Sequence, residues 1–95
     1  MNSEKSKASR IEERLHIIKA IVWGAEHRNE VIESVYASAD MQAARKALMA
    51  KFHFTEEQAQ AIMDMRLRAF TEKERKKLKE EQEELQNQLQ SFKPQ

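Results

Sequence analysis

Several residue types that define common protein classes are absent or scarce in this 95-residue sequence. It has no cysteine, which excludes a disulfide framework and a thiolate metal site. The same absence is typical of a reducing compartment, so we expect a cytoplasmic location. One glycine and one proline are too few for a β-sandwich, a barrel or a collagen-like repeat, and they exclude a glycine-rich phosphate-binding loop.

Long apolar runs and an excess of charge of one sign are also missing. No run approaches the roughly 18 residues of a membrane span, and the polar start of the chain (Met1–Ser9) predicts no signal peptide. Seventeen basic residues against 16 acidic ones give a net charge of +1. This balance argues against a domain whose main task is to bind phosphates.

The residues that remain favour helix, and their spacing predicts an all-α fold of about five helices. Each predicted helix after the first begins at a residue that can cap its free amides, and two of these residues open capping boxes with the third residue of the helix. The predicted helices cover about residues 7–26, 30–38, 41–52, 56–70 and 72–91, with caps at Asn29, Asp40, Thr55 and Thr71.

The first and last helices each carry an apolar seam at heptad spacing. We expect the two seams to pair as an antiparallel two-helix coiled-coil stalk that carries a small helical head. The chain is then one domain, 1–95, with an incoming helix (7–23), a head (24–70) and a returning helix (71–92). The predicted stalk contacts are Ile11, Leu15, Ile18, Leu78, Leu85 and Leu89.

Candidates for chemistry are weak. The three histidines, His16, His27 and His53, lie on separate segments without metal-ligand spacing, and Thr55 and Thr71 are accounted for as helix caps. We therefore expect no catalytic residue, no metal, no cofactor and no small-molecule substrate, and the chain alone is predicted not to be an enzyme.

Two other features leave alternatives open. The methionine-rich run 63–67 is either a flexible partner-binding surface or plain core. Asp64 and Arg66 within it are expected to pair with other groups, and the planar fork of arginine suits a partly buried salt bridge. The basic run 75–79 is either a solvated helix face, which we favour because acids are interleaved with it, or a contact for a nucleic-acid backbone. Tyr36 is expected to pack at the edge of the head.

The most specific motif in the sequence is the run Gln58-Ala59-Gln60-Ala61-Ile62-Met63-Asp64-Met65-Arg66-Leu67. Together with several other runs it resembles the A subunits of DNA gyrase and of topoisomerase IV, the bacterial type IIA topoisomerases, and the similarity covers about residues 10–90. The matching part of those proteins is the end of the coiled-coil arm with the small dimerisation domain at its tip, the exit gate.

The resemblance implies a function. Two heads meet across a twofold axis, close the DNA-passage cavity, and part reversibly to release the transported duplex. It implies a homodimer that meets DNA only indirectly, through a larger topoisomerase, and that has no contact with a membrane. Where the family commonly has glycine after the third helix this chain has His53, which must take a positive φ if that helix ends in the left-handed conformation.

The predicted function is thus a non-catalytic homodimerisation module of the exit-gate type. Two other interpretations remain open, a stand-alone coiled-coil adaptor or inhibitor that binds a partner's helices, and a nucleic-acid-binding helical module. The chain is either a fragment of a divergent gyrase-like protein or a free-standing protein that has kept only the gate. The predicted interface residues are Met41, Met63, Met65, Arg66, Leu67 and Phe70.

Overall fold

The computed structural model describes residues 6–92, so the polar N-terminal segment is described only from Ser6 onward. Every regular element in this range is a helix, which confirms the all-α fold class. The elements are α1 (Lys7–Glu26), α2 (Arg28–Tyr36), α3 (Met41–Phe52), α4 (Glu56–Met63), a short 3₁₀ helix (Leu67–Phe70) and α5 (Glu72–Gln90).

The predicted caps hold the starts of three helices. Asp40 Oδ1 accepts a hydrogen bond from the amide of Ala43 at 2.9 Å and opens α3. The capping box of α4 is complete, because Thr55 Oγ1 accepts from Gln58 N while Gln58 Oε1 accepts from Thr55 N. At α5 only half of the predicted box forms. Thr71 Oγ1 accepts from the next turn, but the Thr71 amide donates to the carbonyl of Arg68 instead.

The start of α2 differs from the prediction. The sequence places its cap at Asn29, whereas α2 begins at Arg28 and His27 is the boundary residue. The His27 amide donates to Trp23 O at 2.9 Å and its Nδ1 lies 2.8 Å from the same oxygen, so His27 completes the end of α1. Its own carbonyl then accepts from Val31 N and opens α2.

The fourth helix also ends earlier than predicted. The prediction of a continuous helix to Phe70 is wrong, because α4 ends at Met63 and the 3₁₀ helix begins at Leu67. The amide of Asp64 still donates to Gln60 O, and that of Met65 donates to Ile62 O over a tighter turn. The 3₁₀ helix then turns the chain into α5, so Met65 and Phe70 do not continue the helical path of α4.

The end of α3 bears out the expectation for His53. This residue is left-handed, with φ 62° and ψ 38°, and its amide donates to Met49 O at 3.0 Å. Glycine adopts this conformation without strain, whereas a side chain with a Cβ atom raises its free energy.

Two clusters of buried side chains form the core, and α1 contributes to both. The head cluster joins α1 to α2, α3 and α4, and its members are Ala20, Val31, Leu48, Ala59 and Ile62. The second cluster joins α1 to α5, where Leu15, Ile18 and Val22 pack against Leu78, Leu85 and Leu89. Ile11, the other residue expected in this contact, is half-buried near the start of α1.

Two ion pairs accompany the contact between α1 and α5. Arg14 Nη2 lies 2.8 Å from Glu81 Oε2, and Glu26 Oε2 lies 2.6 Å from Lys79 Nζ. Arg14 comes before Glu26 in α1, whereas Glu81 follows Lys79 in α5. This is the order that antiparallel helices produce.

Aromatic rings fill the corner where α1 meets the end of α3. The Trp23 ring stacks on His27, with 4.3 Å between centroids and 12° between planes. It also contacts Phe52 at 4.6 Å and meets Phe54 edge-on at 5.3 Å. These contacts anchor the boundary between α1 and α2 to the head.

Gln58 links α4 to α1 through a buried amide. Its Nε2 donates to the carbonyl of His16 at 2.8 Å while its Oε1 serves the capping box. Glutamate and glutamine are equally suited to the capping box, but only the amide, or a protonated carboxyl, can donate to the carbonyl of His16.

We therefore expect Gln58→Glu to lower the free energy of unfolding by about 1–3 kcal/mol at neutral pH, because a carboxylate would face a carbonyl oxygen in a buried position. Urea denaturation measures the loss, and most of it should be recovered in acid, when the new side chain is protonated. A variant as stable as the parent at neutral pH would show that the bond to His16 O contributes nothing.

His53→Gly should raise the free energy of unfolding by about 0.5–1 kcal/mol, since relief of the left-handed strain exceeds the entropy that glycine adds to the unfolded chain. His27→Gly is the matched control, because His27 has a negative φ of −119° and stacks on Trp23, and it should lose stability. Thermal unfolding of the two variants distinguishes these signs. Loss of stability in both would refute strain at His53.

Candidate interaction surface

Large apolar side chains are exposed mainly on one part of the head. Six of them are exposed in the described range, and five lie between α2 and the 3₁₀ helix. The most exposed is Tyr36 at 90%, followed by Leu67 at 81% and Met41 at 62%. A group of exposed apolar side chains in a small domain marks a surface that another molecule covers. The six are Ile32, Val35, Tyr36, Met41, Leu67 and Phe92.

Four of these side chains border an open concavity of about 510 Å³, which we call the apolar concavity. The helices α2, α3 and α4, together with the segment that leads into α5, contribute to its walls, and none of the lining side chains is charged. Its lining is Val31, Ile32, Val35, Tyr36, Met41, Ile62, Met63, Met65 and Phe70.

The turn between α2 and α3 holds one rim of the apolar concavity. The amide of Ala37 donates to Glu33 O, and Ser38 Oγ donates to the carbonyl of Ser34 at 2.7 Å, which ends α2 at Tyr36. The Asp40 cap then starts α3 at once. Tyr36 and Met41 consequently stand at opposite ends of one short, hydrogen-bonded turn.

The floor of the concavity depends on a close approach between α1 and α4. A Cβ atom placed on Gly24 would lie 3.2 Å from the Met65 sulfur and 3.5 Å from Ile62. Gly24 has no side chain to push these groups outward, so Ile62 is buried and Met65 is half-buried.

The structure brings together four of the six residues predicted for an interface. Met41, Met63, Met65 and Phe70 line the apolar concavity. Leu67 is exposed beside it without lining it.

Arg66, the remaining predicted residue, is exposed and borders a second groove that also holds Arg68 and Glu74. The expectation of a salt bridge is wrong for Arg66. Within residues 6–92 Arg66 forms no ion pair, and Asp64 instead accepts a hydrogen bond from Gln60 Nε2 at 3.1 Å.

Sequence reasoning missed the contribution of α2. Ile32, Val35 and Tyr36 form the outer side of the apolar concavity, and the expected packing role of Tyr36 is wrong because its side chain is almost fully exposed. Their spacing on one helix face was visible in the sequence. The sequence does not reveal that Val31 is the one residue of α2 in the buried cluster of the head, nor that Ile32, Val35 and Tyr36 remain exposed.

The histidines and hydroxyls do not gather into a reactive site. His16 Nε2 lies 2.9 Å from Thr55 Oγ1, but that oxygen also accepts the amide of Gln58 as a helix cap. No group of three potential metal ligands occurs within residues 6–92. Within the same range, no helix has the length and apolar character that crossing a membrane requires.

Comparison with known proteins adds independent information. Residues 1–95 match the family of the DNA gyrase/topoisomerase IV A subunits. The DNA gyrase A subunit of Deinococcus deserti is 44% identical over 75 residues, which are 79% of this chain and 9% of that protein. The Streptococcus pneumoniae protein of the same name is 42% identical over 82 residues, 86% of this chain and 10% of its own.

A plant relative matches over a similar stretch. The chloroplastic/mitochondrial DNA gyrase A subunit of Arabidopsis thaliana is 37% identical over 83 residues, 87% of this chain and 9% of that protein. The chain therefore spans about a tenth of the length of the curated relatives it matches. The prediction that it is not an enzyme is wrong as a classification, because these relatives are subunits of an enzyme.

Two isoleucines line the apolar concavity, and one belongs to the core while the other is exposed. Ile62 is 3% exposed and Ile32 is 51% exposed. Ile62→Ala should lower the free energy of unfolding by about 2–5 kcal/mol, because it leaves a cavity in the head. Ile32→Ala should lower it by about 0.5 kcal/mol or less in dilute solution, where contacts between copies are negligible. Urea denaturation of both variants tests the contrast, and equal losses would place Ile32 in the core.

Proposed function

The chain belongs to the family of the DNA gyrase/topoisomerase IV A subunits, and from this premise we propose that it is the homodimerisation module of the exit gate. Two copies meet head to head, close the DNA-passage cavity and part reversibly to let the transported duplex leave. The chain acts within a type IIA topoisomerase. The cytoplasmic location stays a prediction.

The apolar concavity is the observation that carries this proposal. Its nine lining side chains are uncharged, and Tyr36 and Met41 project from its rim. Burial of apolar surface contributes roughly 25 cal/mol per Å² and is the main favourable term in association. Aromatic residues and methionine are also the types enriched at protein interfaces.

A second copy of the chain is the partner that this surface fits. In a twofold dimer the same patch meets itself, so a charge close to the symmetry axis would face a like charge. An uncharged concavity with projecting side chains avoids this repulsion. Leu67 and Phe70 extend the apolar surface toward the 3₁₀ helix, in continuity with the rim formed by α2.

Reversible opening needs a contact of limited area. Interfaces that separate during function bury less surface than obligate ones. The three methionines of the concavity suit repeated separation, because their unbranched side chains repack at little cost in strain. The gate is expected to open by parting of the two heads while each head keeps its fold.

The division into head and stalk supports the same function. We propose that 7–23 and 71–92 form a two-helix coiled-coil stalk and that 24–70 forms the head. The cluster of Leu15, Ile18 and Val22 with the leucines of α5 holds α1 and α5 together. A force applied along the stalk would then reach the head through α1, which belongs to both clusters.

Tyr36→Glu tests the proposed interface. It adds a charge at the rim of the apolar concavity and should weaken self-association at least tenfold. Each dimer would bring two new carboxylates into the interface, where they lose hydration or repel each other. Phe92→Glu is the control. It introduces the same charge at another exposed apolar residue, at the end of α5, and should leave association unchanged. Sedimentation equilibrium over a range of concentrations measures both constants.

Three outcomes contradict the proposal. A parent chain that is monomeric at all concentrations would favour an adaptor that binds another protein's helices. An unchanged association constant for Tyr36→Glu would place the interface elsewhere. Equal weakening by both substitutions would show that association depends on net charge and not on the apolar concavity.

A further inference from the structure

The charges of the chain are segregated even though they nearly cancel. Between Arg66 and Lys79 the sequence has seven basic and two acidic residues, and the next five positions contain four glutamates. The net charge of +1 is therefore the sum of unlike segments, a basic one at the junction of head and α5 and an acidic one further along α5.

The structure shows which of the seven cations are engaged. Arg75 Nε donates to the carbonyl of Phe70 at 3.1 Å, and Lys79 pairs with Glu26. The other five are exposed, and within residues 6–92 none of them forms an ion pair. We call these five the basic surface, and they are Arg66, Arg68, Lys73, Lys76 and Lys77.

The five side chains lie around the start of α5. Lys73, Lys76 and Lys77 are three and four positions apart, so they share one helix face, with neighbouring Cβ atoms about 5–6 Å from each other. Leu78, on another face, packs toward α1. Arg66 and Arg68 border a groove that also contains Asp64, Glu74 and Leu78. Lys77 borders a second groove, which shares Glu74 and Leu78 with the first and also contains Glu80, Glu81 and Glu84.

We propose that the basic surface binds the phosphate backbone of duplex DNA directly and without sequence preference. The family resemblance implies only indirect contact with DNA, and the sequence favours a solvated helix face for the basic run because acids are interleaved with it. In the structure Arg75 and Lys79 are engaged with protein groups, while the two arginines of the 3₁₀ region and the three lysines are exposed and form no ion pair within residues 6–92. The inference rests on the proposed gate function in one respect, that the DNA is the transported duplex as it passes the head.

The chemistry of the basic surface favours DNA over an acidic protein. Lysine is depleted at protein interfaces, where a buried ammonium loses its hydration. It serves well against phosphates, because the contact stays hydrated and releases condensed counterions. Lys73, Lys76 and Lys77 form the exposed face of the first two turns of α5.

The acidic segment limits the contact to one end of α5. Glu80 and Glu84 continue the face of Lys73 and Lys77 by one and two turns. Their charge repels phosphates, so a duplex lies against the head end of α5 and not along its length. Binding is therefore weak and strongly salt-dependent, as a transient contact with a moving duplex requires.

The test measures binding of a fluorescent duplex of about 20 base pairs by anisotropy, from about 50 to 200 mM salt. The parent should bind with a slope of log K against log salt of about −4.5, since about five phosphates are neutralised. K73Q/K76Q/K77Q should weaken binding at least tenfold and bring the slope to about −2.

A matched triple variant separates local charge from net charge. K19Q/R28Q/K46Q removes the same charge from three exposed positions on α1, α2 and α3, and it should keep the affinity and slope of the parent. No binding by the parent at about 50 mM salt would overturn the proposal. Equal weakening by the two triple variants, or an unchanged K73Q/K76Q/K77Q, would also overturn it.

The same experiments keep this inference apart from the gate itself. Tyr36→Glu leaves the basic surface intact, so a monomeric Tyr36→Glu should retain the salt slope per chain. A parent that dimerises but does not bind DNA overturns only the DNA contact. If K73Q/K76Q/K77Q loses dimerisation while its DNA binding stays that of the parent, the basic surface belongs to the protein interface and the inference is wrong.

Discussion

The structure depends on the burial of α1 on two sides. One side, with Ala20 and Gly24, packs into the head, and another, with Leu15 and Ile18, packs on α5. Because one helix belongs to both clusters, the head cannot rotate against α5 without breaking one of them. The hydrogen bond from Gln58 to the carbonyl of His16 lies between the two regions and ties α4 to the same helix.

Features encoded within one turn of the chain could be predicted from the sequence. The bounds of α1 and α3, the Asp40 cap and the Thr55 capping box agree with the structure, because each depends on residues three or four positions apart. The left-handed His53 was predicted from its resemblance to a glycine position in a known family. That inference needed knowledge of related chains and not of helix propensity.

Features set by tertiary contacts could not be predicted. No glycine or proline near Met63 signals the end of α4 in the sequence. The break instead allows Met65 to pack against Gly24 and Phe70 to turn toward the head. His27 replaces Asn29 as the boundary of α2, because its ring stacks on Trp23 while its nitrogens reach the end of α1. The exposed side of α2 escaped notice for the same reason, since a short amphipathic pattern does not reveal how much of it the core covers.

The aromatic corner has a practical consequence. Trp23 is the only tryptophan in the sequence, and it contacts Phe52, Phe54 and His27 where α1, α2 and the end of α3 converge. All indole emission from this molecule therefore arises at one known place. Intrinsic fluorescence is a native, label-free reporter of whether the corner stays closed. The indole lies on α1, the helix that packs in both buried clusters, so strain that passes between α5 and the head would act on it.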